Sequence, residues 1–413
     1  MLIFPFILVT TLFALWGFAN DVTNPMVAAF KNILLISNFE SSLVQTAFYG
    51  GYCFMAIPAA IFIKKFNYKK GILVGLLLYS LGCLLFLPAA NAMTFGLFLF
   101  AYFIMTCGLS FLETTSNPFI LSMGPDETAT RRLNFAQAFN PMGSLTGMWV
   151  SKEFILAKLN KATELERIDL QASDPNAFAV MQKADLDVIS GPYLMLGALV
   201  LAFFVIFLIT KLPQKSSGEA TEESSSMSTV KRLFKNKRYT SSVVAQMFYV
   251  GVQIMVWTFI IQYAEHELGM EKSTAQEYNM IAMGIFVSSR FICTFLLKYI
   301  KPNLLLMALS IGGIAFTMGA IFIKGMPGLY SLVAISACMS LMFPTIYGAG
   351  IKGLGDDTKI GGAGMVMAIA GAAVLTQIQG ILSDMSNITT AYWVPAVAFA
   401  IIAYYSIRIC SKQ

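Results

Sequence analysis

One pattern constrains this chain more than any other: runs of roughly 20 mostly apolar residues, separated by short polar stretches. At 1.5 Å per residue such a run crosses about 30 Å of hydrocarbon. "AMTFGLFLFAYFIMTCGLSF" at 92–111 is an example without a single charge. Spans are expected near 3–30, 41–63, 70–90, 94–121, 132–156 and 191–211. A second set is expected near 240–265, 274–298, 302–324, 328–351, 360–383 and 390–409. Helices are the form they must take, because barrel strands alternate and would not leave unbroken apolar runs. The fold class expected is an all-α polytopic membrane protein with twelve transmembrane helices in two six-helix bundles.

Composition agrees. Of 413 residues, 57% are hydrophobic and 12% charged, against about a quarter charged in soluble domains. No single core could hide that much apolar surface. The net charge of +6 does not point to nucleic acid, because the basic residues cluster in short loops between the spans. Most of them fall on one side if the N-terminus is inside, which predicts two cytoplasmic termini. Cys53, Cys83, Cys107, Cys293 and Cys338 lie within apolar runs and Cys410 lies near the end, with no paired spacing. Neither a metal site nor a disulfide is expected. The start, "MLIFPFILVTTLFALWGFAND", lacks a basic n-region and reads as a first span, not a signal peptide.

Between the two sets lies "KLPQKSSGEATEESSSMSTVKRLFKNKR", too polar to build a core. The expected organisation is therefore 1–211, a linker at 212–239, and 240–413. The basic end "KRLFKNKR" suits anionic lipid headgroups. Six spans, a linker and six more is a two-bundle transporter layout.

Ionisable groups inside spans cost roughly 2.5–3.5 kcal/mol each on insertion scales, so each needs a reason. Asp21 and Glu113 stand out in the first half and Arg290 in the second. Glu113 and Asn117 are four apart on span four, on one helical face. Span five carries Asn134, Gln137, Asn140 and Ser144 as a polar stripe. Span one offers Asn20, Asp21 and Asn24 just before Pro25, where a bend is expected. Span two adds Gln45, Tyr49 and Tyr52; span seven adds Gln246, Gln253, Trp257 and Gln262. Amides bond hydroxyls in both directions and aromatic faces cover apolar C–H surface, so this set suits a neutral sugar. The plain alternative is that such groups only bridge neighbouring helices, at about 0.6 kcal/mol each. Glu113 has no basic neighbour in sequence. A carboxyl that is neutral when buried and ionises when water reaches it carries a proton. The lone His266, between Glu265 and Glu267, reads as a solvated loop residue.

"LETTSNPF" at 112–119, "RLNFAQAFNPMGS" at 132–144 and "VQTAFYGGY" at 44–52 resemble the fucose–galactose–glucose family of major facilitator transporters. The likeness continues at 57–90 and again in "FPTIYGAGIKGLGDDTKIGGAGMVM" at 343–367. The general facilitator signature Gly-x-x-x-Asp-Arg is absent between spans two and three, where Ile63-Lys64-Lys65 stands. That absence too is similar to this family. The resemblance implies a major facilitator fold, alternating access between two bundles, and a sugar bound midway and driven by protons. It implies Glu113 as the proton-coupling group, Gln137 and Asn140 as sugar-binding amides, and Arg290 as the family's span-eight arginine. Span one departs: the family's acid falls where this chain has Asn24. Asp21 is one turn earlier and points about 60° away.

The function expected is therefore a proton-coupled sugar symporter, L-fucose first, with galactose, glucose or N-acetylglucosamine as alternatives and sodium as the rival ion. Glu113 and Asp21 would handle the proton. Asn24, Gln45, Tyr49, Asn117, Gln137, Asn140, Gln253, Trp257 and Arg290 would contact the sugar. A non-transporting membrane sugar sensor is the rival from another class. No enzyme activity is expected, since no Ser–His or His–His pairing occurs in the spans, and no cofactor, metal or nucleic acid. The setting expected is a bacterial inner membrane, with lipids and a monomer.

Overall fold

The computed structural model describes residues 3–36, 38–212, 226–270 and 272–410. Among them, eleven helices are long and apolar enough to cross a membrane. Span one runs Ile3–Thr23, breaks ahead of Pro25 and resumes as Met26–Leu34. Spans two, three and four are Asn38–Lys65, Tyr68–Ala92 and Phe95–Ser122. Span five is the one missing from the eleven, because Asn134, Gln137 and Asn140 make it too polar; it is divided into Ala129–Gln137, Phe139–Val150 and a π-helical turn at Ser151–Leu156. Span six is Pro175–Ile209. Spans seven, eight and nine are Lys237–Leu268, Lys272–Leu296 and Pro302–Phe322. Span ten divides into Met326–Met339 and Met342–Ile351, span eleven covers Gly355–Ser383, and span twelve covers Ile388–Arg408.

Contacts group the chain into two compact units. One takes Ile7–Ser116 and Met142–Glu219; the other takes Met1–Phe6, Asn117–Pro141 and Ala220–Gln413. The segment Asn117–Pro141, from the first half of the sequence, thus packs with second-half helices. The borders on either side of it fall within spans four and five, each of which contains a proline, Pro118 or Pro141.

In the first unit, spans three and four touch backbone to backbone. A Cβ on Gly82 would stand 2.3 Å from the Met105 nitrogen, and one on Gly108 would stand 2.3 Å from that of Tyr79. Only glycine permits that approach, and small residues at the contact are how membrane helices pack without a hydrophobic driving force between them. Span six closes on the other side of span three, with the Phe86 and Tyr193 rings stacked 3.9 Å apart. The Ser80 hydroxyl donates to the Gly197 carbonyl at 2.9 Å. Outward, Leu77, Leu81 and Leu84 of span three and Ile209 of span six are exposed, as lipid contact requires.

Two expectations are corrected here. The connection 157–190 is not a loop: Glu164–Ser173 is helical, and span six begins at Pro175, not 191. Thr163 caps the first of these helices reciprocally with Glu166. The Thr163 main-chain N–H donates to the Glu166 carboxylate at 2.7 Å and its hydroxyl at 2.9 Å. These bonds hold the Glu166 carboxyl below its ordinary range. A depressed folded value means the contribution is present above the unfolded value, near pH 4.3, and is lost as pH falls through the folded one. Amide exchange across 164–173 is therefore expected to gain an acid-driven opening that Glu166→Gln lacks. An identical acid response in the variant would refute this. The second correction concerns His266, which is exposed but forms part of the last turn of the span-seven helix.

In the second unit, the end of the linker is a helix, Ser226–Lys235. It buries Leu233 and exposes Lys231, Phe234 and Lys235. Arg232 clasps the Asp357 carboxylate through two hydrogen bonds of 2.7 and 2.6 Å, and the Tyr239 hydroxyl donates to the Gly361 carbonyl at 2.8 Å. The linker's Ser- and Glu-rich part, 213–225, lies outside the described residues.

Candidate functional site

Each unit contributes its own polar group. In the first unit Asp21 sits in the last turn before the span-one break and is buried. Its carboxylate accepts from the Asn20 amide at 3.4 Å and from the Asn24 amide at 3.2 Å, with Ser144 of span five nearby. The bend is what allows this: Pro25 supplies no N–H to the Asp21 carbonyl, so the turn opens and Asn24 folds back. Gly143 makes room, since a Cβ there would meet the Ala14 carbonyl oxygen at 1.8 Å. Asn24 itself is exposed and Asp21 is not.

Glu113 is also buried, and among the described residues it forms neither an ion pair nor a hydrogen bond. Ser110, one turn earlier, donates to the Tyr52 carbonyl at 3.3 Å. Tyr52 lies near Glu113, and Tyr49 near Asp21. Tyr49 and Tyr52 are three apart on span two, so one helical face links the two acids. Tyr52 is buried and Tyr49 half-buried. Gln45 lies on the same helix, but its side chain is outside the described residues.

The second unit holds the amides. The Gln137 side chain donates to the Asn117 carbonyl oxygen at 2.9 Å. The remaining Asn117 amide nitrogen, fully buried, has no partner among the described residues. Asn140 is half-buried and makes no hydrogen bond among them. Asn134 reaches the Thr345 hydroxyl of span ten at 3.4 Å.

Arg290 of span eight is buried. It donates to the Gln137 carbonyl at 2.9 Å and to the Ser340 carbonyl at 2.5 Å. Its guanidinium lies 4.6 Å over the Phe286 ring, which stands edge-on to Trp257 at 5.0 Å. The Trp257 ring N–H donates to Ser336 at 3.2 Å. Gln253, one turn before Trp257, is half-buried and makes no hydrogen bond among the described residues.

Of the residues singled out in the sequence, Asn117, Gln137 and Arg290 are joined directly, and Asp21 and Asn24 are joined directly. Trp257 connects through Phe286, and Gln253 and Asn140 present unengaged amides. Tyr249 was missed. It lies beside Arg290 with its buried hydroxyl unpartnered among the described residues, and its spacing of four before Gln253 and eight before Trp257 is the signal that places it on their face. Among the described residues no cluster of His, Cys, Asp and Glu could hold a metal ion.

A multi-pass all-α chain with buried acids and an amide pair is built to carry a polar solute. The chain matches the Major Facilitator Superfamily over residues 7–373 and belongs to it. It has the fold of that family, with twelve transmembrane helices, and it is a membrane transporter, not an enzyme. It is 48% identical to the L-fucose-proton symporter of Haemophilus influenzae, covering 98% of this chain and 96% of that protein. It is 36% identical to the L-fucose-proton symporter of Escherichia coli, covering 98% and 92%. A crystal structure of the Escherichia coli fucose:proton symporter has a TM-score of 0.90 at 35% identity, covering 98% of both chains.

Proposed function

We propose that the chain is a proton-coupled L-fucose symporter. Residues 1–211 and 240–413 would act as two six-helix bundles in alternating access, in a bacterial inner membrane with both termini cytoplasmic. The observation that carries the reading is Glu113: a buried carboxyl without an ionic partner, one helical turn from an amide that bonds Gln137. A group so placed is stable as the neutral acid and gives up its proton when water reaches it. Two relatives named L-fucose-proton symporters, at 48% and 36% identity, support the sugar and the ion.

Asn117, Gln137 and Asn140 bind sugar hydroxyls, with Gln253 completing the polar contacts, Trp257 covering the sugar's apolar face and Arg290 standing behind Gln137. Gln45, Tyr49 and Asn24 are the further sugar contacts of this reading. Asp21 tunes the proton site through Tyr49 and Tyr52. The basic face of the linker helix rests on anionic headgroups, and the protein works as a monomer.

The substrate is tested by counterflow in proteoliposomes preloaded with L-fucose, galactose, glucose or N-acetylglucosamine. Preloaded L-fucose is expected to drive a larger transient uptake of external labelled L-fucose than any of the other three sugars. Counterflow supported equally by glucose or galactose and not by L-fucose would overturn the assignment of the sugar.

A further inference from the structure

The two carbonyls that Arg290 holds have something in common. Four residues after Gln137 stands Pro141, and four residues after Ser340 stands Pro344. A helical carbonyl normally accepts from the N–H four residues on, and proline has none. Both carbonyls are therefore left over by a proline, in spans five and ten, and both residues are buried. A buried carbonyl without a donor is costly, on the order of a lost hydrogen bond. Arg290 supplies both donors from a third helix, through Nε to Ser340 at 2.5 Å and a terminal nitrogen to Gln137 at 2.9 Å. The rigid fork of a guanidinium can do this, whereas an ammonium is a point donor.

Other contacts fit the brace. Phe286 lies beneath the guanidinium, and Phe139, two residues after Gln137, meets Phe291 beside Arg290 edge-on at 6.4 Å. The Gln137 side chain in turn orients Asn117.

We propose that Arg290 is the positioning residue of the amide site, replacing two main-chain donors removed by Pro141 and Pro344. By holding the Gln137 carbonyl it fixes where span five presents the amides of Gln137 and Asn140. This rests on the reading that those amides bind the sugar, and it assigns Arg290 an action through them that does not require contact with substrate.

The test is a double-mutant cycle between Arg290→Lys and Pro141→Ala, since an alanine at 141 returns an N–H to the Gln137 carbonyl. Half-saturation and maximum rate of L-fucose counterflow are measured in proteoliposomes. Arg290→Lys is expected to raise half-saturation about tenfold, and Pro141→Ala in the same chain to recover most of that loss. If the two changes simply multiply, the guanidinium acts on sugar directly and the proposal fails. If half-saturation is unmoved while the protein merely becomes less stable, the role is structural and the proposal also fails. The cycle is read in parallel as thermal unfolding of sugar-free purified protein. Recovery there supports the brace even if L-fucose is not carried, and strict additivity overturns it whatever the sugar. Should Pro141→Ala not fold, Pro344→Ala makes the same test on the Ser340 carbonyl.

Discussion

Glu113→Gln is expected to abolish uphill accumulation of sugar while exchange down a gradient continues. Glutamine has the shape of the neutral acid and can fill the same buried position, but it never releases a proton. One charge moved through 100 mV supplies about 2.3 kcal/mol, enough for roughly a 50-fold accumulation at one proton per sugar. In the variant the internal-to-external ratio should fall to one, with counterflow retained. The loss is large because Glu113 has no ionic partner or hydrogen bond among the described residues that could take over its proton. Asp21 is held by two asparagines, so replacing it should alter the rate and half-saturation more than the final ratio. Full accumulation in Glu113→Gln would mean another group carries the proton.

The largest effect on stability is expected at Arg167. Its guanidinium meets the Asp185 carboxylate at 2.6 Å with side chains only 2% and 4% exposed. Arg167 also donates to the carbonyls of Asn160 and Ala162 at 3.1 and 3.2 Å, and Asp185 accepts from the Asn160 main-chain N–H at 2.8 Å. The pair ties the span-five-to-six connection to the start of span six. Removing one partner of a buried pair leaves an uncompensated charge and costs about 3–5 kcal/mol. Arg167→Met should therefore lower the unfolding midpoint sharply, and adding Asp185→Leu should recover much of the loss. The Asn160 N–H would remain unpaired. The surface pair of Lys152 and Glu153, 3.5 Å apart and exposed, should matter by less than about 1 kcal/mol. Equal effects at the two pairs would contradict the burial argument.

The spans were legible because the length and apolarity of a run are local properties. Glu113 was legible because a charge in a 20-residue apolar run has no local explanation. The breaks were harder. Pro141 and Pro344 were visible, but what becomes of the carbonyls they leave depends on Arg290, which is 153 residues from Gln137 in sequence. The helix at 164–173 had its signal in Thr163 and Glu166, a reciprocal cap, and span six had Asp174 capping a helix that opens with Pro175. Hydropathy does not reveal either, because the 164–173 helix is polar along most of its length and the start of span six carries Gln182, Lys183, Asp185 and Asp187. Helix geometry turns Asp21 about 60° from the family's direction; its burial beside Asn20, Asn24 and Ser144 depends on the span-one break and the close approach of Gly143.

Proton movement with sugar tests the account most directly. Cells carrying the protein are suspended without oxygen in weak buffer, and the external pH is followed as L-fucose is added. Prompt alkalinisation, absent in Glu113→Gln, is the predicted result. Entry of labelled L-fucose without any pH change, or the same change in both proteins, would contradict proton coupling through Glu113.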